Sequence, residues 1–108
     1  MCDISLEEDK LFFTVFGLRD RISSTQKWMA DYESKRANYP FWITRKGKYL
    51  KVENITNGHL RNLLRFVPEN NTWHQVFECE ILYRKYQKQL PYLKEQLSKY
   101  EEIIDKVF

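Results

Sequence analysis

Apolar positions follow a helical rhythm at both ends of the chain and lose it in the middle. Leu11, Val15, Leu18, Ile22, Thr25, Met29 and Tyr32 advance in alternating steps of four and three. That heptad spacing keeps one stripe of a helix facing a partner. Thr25 is the single polar member. Ser5, with Glu8 three residues on, has the spacing of a capping box, and the pattern predicts a long helix within residues 1–37. It should stop near Arg36–Asn38, because Pro40 disfavours helical geometry at Tyr39. Gly17 weakens this helix by about 1 kcal/mol relative to Ala, which suggests close packing at that point.

The final segment carries the same signal more strongly. Val76, Cys79, Tyr83, Tyr86, Leu90, Leu93, Leu97, Tyr100, Ile104 and Val107 are spaced three and four apart without a break. Thr72 and Gln75 offer a second capping box at its start. Pro91 falls in the interior, where proline costs about 3 kcal/mol. Its flanks contain no turn residues and the register passes through unshifted, so residues 72–108 are expected to form one long helix, kinked at Pro91 rather than split into a hairpin. Residues 6–36 and 72–107 would span roughly 46 Å and 54 Å at 1.5 Å per residue, so the two helices suit an antiparallel, coiled-coil-like pairing.

Residues 38–71 differ in kind. Phe41-Trp42-Ile43-Thr44 and Tyr49-Leu50-Lys51-Val52 flank Arg45-Lys46-Gly47-Lys48, which predicts a short β-hairpin with Gly47 supplying positive φ. Thr56 then caps a helix of about ten residues ending at Val67, with Leu60, Leu63, Leu64 and Val67 as its apolar face. The fold class expected is mainly α: two long heptad helices with a central hairpin and short helix, in one domain over residues 1–108.

Composition narrows the function. Three Gly and three Pro among 108 residues leave too few turns for an all-β sandwich. The longest apolar runs fall far short of the roughly 20 residues of a membrane span. Two cysteines, Cys2 and Cys79, suit a reduced, cytoplasmic protein rather than a disulfide framework, and the acidic N-terminus has no signal-peptide core. The surplus aromatics Phe12, Phe13, Phe16, Trp73 and Phe77 point to a homo-oligomer, since two helices alone bury little surface.

The net charge of +3 is unevenly placed. Residues 41–66 hold Arg45, Lys46, Lys48, Lys51, Arg61 and Arg65 against Glu53 alone, while each flanking segment sums to −1. Such a local field attracts anions. The candidate ligand-binding residues are Trp42, Arg45, Lys48, His59, Arg61, Asn62 and Arg65. His59 and Asn62 stand a turn apart with Arg65 another turn on, Trp42 or Tyr49 offers a stacking ring, and the cations suit phosphate. Arg61 and Arg65, at i and i+4, repel each other unless an anion lies between them. A second reading stands beside this one: His59 and Asn62 tie the short helix to the hairpin, and Trp42 is core.

The stretch Trp42-Ile43-Thr44-Arg45-x-Gly47, then Leu50-x-Val52, then Ile55-Thr56-x-x-His59-Leu60-x-Asn62 resembles a motif of small, largely uncharacterised bacteriophage proteins, which share a Trp-x-Thr-x-x-Gly hairpin and a His-Leu-x-Asn helix start. The resemblance covers about a quarter of the chain. It implies a phage origin and a protein that disarms host defences by binding.

Enzyme chemistry finds no support. His59 and His74 neighbour no serine or cysteine nucleophile motif, Glu78 and Glu80 diverge on a helix, and no metal-ligand spacing or phosphate-cradling glycine loop is present. No catalytic residue, metal or cofactor is therefore assigned. The expectation is a phage-type binding protein holding an anionic, nucleotide-like small molecule in the host cytoplasm, without membrane contact. The alternatives are an inhibitor of a host defence protein, like an anti-CRISPR, or a nucleic-acid-binding accessory protein.

Overall fold

The computed structural model describes the backbone of residues 2–107 and the side chains of residues 10–107. In chain order it contains α1 (Cys2–Arg36), β1 (Trp42–Ile43), β2 (Tyr49–Leu50), a 3-10 turn (Val52–Asn54), α2 (Asn57–Phe66) and α3 (Thr72–Val107). Two long helices with a hairpin and a short helix between them are the architecture the periodicity predicted. No helix among the described residues is long and apolar enough to cross a membrane.

The packing divides into two compact units, Met1–Trp28 with Gln87–Phe108, and Met29–Tyr86. In the first, the opening part of α1 runs antiparallel to the closing part of α3. Arg19 lies 2.9 Å from Glu101, and Phe12, Val15 and Phe16 line a small cavity with Ile104 and Asp105. Val15, Ile22, Thr25 and Leu93 are buried, so the heptad stripe, including its polar member, is the face that turns inward.

Several local expectations need correction. α1 already begins at Cys2, so Ser5 lies within it; the side chains of the Ser5–Glu8 capping box lie outside the described residues. Gly17 does not mark close packing, because a Cβ there would meet nothing within 4 Å. The expected single helix at the end of the chain, by contrast, is present: α3 runs unbroken through Pro91. Proline lacks the N–H that would bond the Gln87 carbonyl, and seam residues on both sides, Leu90 half-buried and Leu93 buried, keep the helix in register.

The second unit holds the apolar cluster of Val52, Ile55, Leu60, Val76 and Phe77, with Trp42, Leu50, Leu63, Val67 and Trp73 packed against it. Trp73 and Phe77 are therefore not surplus. Phe77 is fully buried, and the hairpin lays Trp42 edge-to-face on both rings, at 5.3 Å and 5.2 Å between centroids. Their cover is a segment some 30 residues earlier, which helical periodicity does not reveal. At the start of α3 the cap is Asn71 rather than Thr72. Its Oδ1 accepts from the Trp73 N–H at 2.9 Å and its carbonyl from the His74 N–H. Asn is among the strongest capping residues and stands one position ahead.

Candidate functional site

The hairpin is short but tightly specified. β1 and β2 pair antiparallel, Trp42 opposite Leu50 and Ile43 opposite Tyr49. The Gly47 N–H donates to the Thr44 carbonyl, the Thr44 N–H donates to the Lys48 carbonyl, and the Thr44 hydroxyl accepts from the Lys48 N–H at 3.1 Å. Gly47 sits at φ +79°, where any other residue would be strained. Arg45 and Lys46 thus occupy the tip of a turn, with their side chains thrown outward.

α2 begins where Thr56 Oγ1 accepts from the His59 N–H at 3.3 Å, as its sequence position predicted. His59, Asn62, Leu63 and Phe66 then fall within about 100° of arc at 100° per residue, and this face turns toward the hairpin. Between the two elements lies a groove of about 590 Å³. Trp42, Leu63 and Val67 form an apolar floor. The turn contributes Thr44, Arg45, Lys46 and Lys48, and the helix contributes His59 and Asn62, with Ile43 and Phe66 at the mouth.

Five of the seven candidate residues therefore meet: Trp42, Arg45, Lys48, His59 and Asn62. Arg61 and Arg65 do not. They stand about 160° and 120° around α2 from His59, and Arg65, about 60° beyond Asn62, flanks the amide outside the groove. The Trp42 ring is half-buried in the aromatic cluster and also lines the groove. The side chains of His59 and Asn62 make no hydrogen bond to the hairpin among the described residues. Lys46, Thr44 and Phe66 also line the groove, Phe66 seven residues from His59 on the same helix face.

The electrostatics are one-sided. All six basic side chains of residues 41–66 are exposed, and none forms an ion pair among the described residues. Glu53, the one acid in that stretch, lies 3.8 Å from Arg36 instead. Lys51 has its ammonium 5.9 Å from the Phe41 ring centroid.

Behind the groove lies a buried polar network that sequence reasoning missed. Glu80 is 1% exposed. Its carboxylate accepts from the Tyr32 hydroxyl at 2.6 Å, from Arg36 at 3.2 Å and from Arg84 at 3.1 Å. Arg84 also donates to Asn57 Oδ1 at 2.7 Å and to the carbonyls of Val52 and Glu53. It thereby ties the start of α2 and the 3-10 turn to α3. Burial and the Glu80 carboxylate push the Tyr32 hydroxyl far above the ordinary phenol range. Burial opposes the charge on Arg36, and Glu80 more than restores it. Burial, then the bond from its hydroxyl to Glu33, raises Tyr83. The i,i+4 spacing of Glu80 and Arg84 was the one available signal, and it looked like any surface pair.

His74 is wholly engaged, with Nδ1 on the Val67 carbonyl at 2.9 Å and Nε2 on Glu78 at 2.8 Å. It thereby ties the end of α2 to the start of α3. No group of three His, Cys, Asp or Glu side chains placed to hold a metal occurs among the described residues. In comparisons with known proteins, no family model, curated protein or solved structure matches this chain.

Proposed function

We propose that this chain is a non-enzymatic binding protein whose hairpin–α2 groove captures an anionic, nucleotide-like ligand. The observation that carries this is the groove itself: an apolar, Trp42-based floor under a wall of cations that no acid of the unit neutralises. A planar ring suits the floor, and a phosphate suits Arg45, Lys46 and Lys48. His59 and Asn62, with no partner on the hairpin, supply directional hydrogen bonds. The likeness of the hairpin and helix start to phage proteins adds the setting: counter-defence in the host cytoplasm by sequestering a signalling nucleotide. Phe13 and Phe16, 76% and 58% exposed in the first unit, support assembly into a homo-oligomer that displays several heads.

Isothermal titration against linear and cyclic nucleotides tests the groove. At least one should bind at micromolar concentration or tighter, and the double variant Arg45→Gln/Lys48→Gln should weaken it more than tenfold. Arg61→Gln, on the back of α2, should change little. Silence across the panel removes the proposal. Ile43 and Phe66, exposed at the groove mouth, favour one rival, an inhibitor of a host defence protein. A stoichiometric protein partner that survives nuclease treatment would replace nucleotide capture with that reading.

A further inference from the structure

The groove accounts for only one side of the hairpin. Beyond it Tyr49, 68% exposed, stands across the strands from Ile43 at the groove mouth, with Phe41, 50% exposed, against its ring. Phe41 and Tyr49 meet edge-to-face, with centroids 6.4 Å apart and planes at 88°. The Lys51 ammonium lies 5.9 Å from the Phe41 centroid, so the Tyr49 ring, 68% exposed, offers the more open face of the pair. Lys48 and Lys51 bracket Tyr49 in sequence and are about 10 Å apart along an extended strand. A two-stranded hairpin spends free energy keeping three large apolar side chains at least half exposed.

We infer that the ligand is a single strand of nucleic acid, which places one nucleotide in the groove, crosses the Arg45-Lys46-Gly47-Lys48 turn and stacks its next bases on Tyr49 and Phe41. This rests on the groove being a nucleotide site and extends it from a small molecule to a polymer. Charge complementarity selects the occupant: four exposed cations with no ion pair among the described residues, Arg45, Lys46, Lys48 and Lys51, follow one another around the hairpin, and Glu53 is turned away to Arg36. Alternating cations and open aromatic faces are what a strand needs, phosphates meeting the former and bases the latter. A duplex keeps its bases stacked internally and cannot use the rings, so the surface discriminates against it. An isolated nucleotide fits the groove but leaves the outer face empty.

Fluorescence anisotropy of a labelled 12-nucleotide single strand of mixed sequence, beside titration calorimetry with the four nucleoside monophosphates, tests this. The strand should bind at least tenfold more tightly than any monophosphate and than the matching duplex. The slope of log affinity against log salt should be roughly −3, from about −0.7 for each of four phosphate contacts. Lys48→Gln/Lys51→Gln should flatten it by about 1.4. Tyr49→Ala should weaken the strand about tenfold without changing monophosphate binding, while Tyr49→Phe, which keeps the ring, should bind like the parent. Thermal unfolding of each variant verifies that the hairpin survives.

If monophosphates bind and the strand binds no better, the polymer is refuted and the groove stands. Failure of both to bind overturns the two together. Equal strand binding by Tyr49→Ala refutes the stacking platform. Binding to phosphatidylserine vesicles without binding to the strand would assign the cationic, aromatic face to a lipid surface and overturn the inference.

Discussion

The two units bury their helices by different chemistry. In the first, α1 and α3 meet along a seam whose buried members are Val15, Ile22, Thr25 and Leu93, and the ion pair Arg19–Glu101 lies exposed beside it. In the second, the same two helices meet through Tyr32, Glu80, Arg36 and Arg84, with the Arg36 guanidinium 4.7 Å over the Tyr83 ring. An apolar seam asks only that residues of the right kind recur at the right interval, and it tolerates exchange among them. A buried carboxylate asks for particular donors at particular places, and losing one leaves charge without compensation. The unit that carries the groove is therefore built with the less forgiving chemistry, which reaches beyond the helix pair to Asn57 and the 3-10 turn.

The sharpest way to break this contrast is Glu80→Ala. It leaves Arg36 and Arg84 facing each other and should cost about 3–5 kcal/mol in urea denaturation. Amide exchange should quicken in residues 42–50 and 57–66. A loss below about 1 kcal/mol would show that the network does not organise the second unit. Leu93→Ala probes the seam. It should cost about 2–3 kcal/mol, near the lower end for a buried leucine, and the exchange response should appear in residues 87–107.

Alkaline pH separates the units without mutation. Tyr32, Tyr39 and Tyr83 all titrate above the ordinary phenol value of 10.0, chiefly through burial. Their neutral forms are favoured by folding, so the stability they contribute is complete below pH 10 and is lost as pH rises through their folded values. The thermal midpoint should fall above pH 10, with the second unit giving way first, and Tyr32→Phe should blunt the fall. At the small end, Gly17→Ala should stabilise the first unit by about 0.5–1 kcal/mol, because the site is helical and a Cβ has open space. Destabilisation there would mean that Gly17 has a packing role the structure does not contain.

Much of the fold was legible, for a local reason. The stripe from Leu11 to Tyr32 and the run from Val76 to Ile104 lie at least half-buried throughout, since helical geometry alone puts residues three and four apart on one face. Thr56 as a cap and Gly47 at positive φ were legible because each answers a need of its immediate neighbours. Half of the groove could be read the same way: His59 and Asn62 share a face of α2, and Arg45 and Lys48 share a turn. Arg65 turns about 60° past Asn62 and leaves the groove, while Phe66, seven residues from His59, completes its face. Glu80 and Trp73 were out of reach. Their environment consists of Tyr32, Arg36 and Trp42, some 30 to 50 residues earlier, and no periodicity encodes a partner at that distance.

The amino-acid order by itself determined which stretches are helices, which face of each turns inward, where the hairpin bends, and that positive charge gathers in residues 41–66. Those outcomes follow from backbone geometry and nearest neighbours. Tertiary structure decided that Trp42 would close over Phe77, that a glutamate would be buried in the second unit, and that the hairpin's cations would form no ion pair among the described residues. Each of these depends on which distant groups compete for the same partner. Glu80 is taken by Tyr32, Arg36 and Arg84, and Glu53 is held by Arg36, so no acid among the described residues pairs with the hairpin's cations.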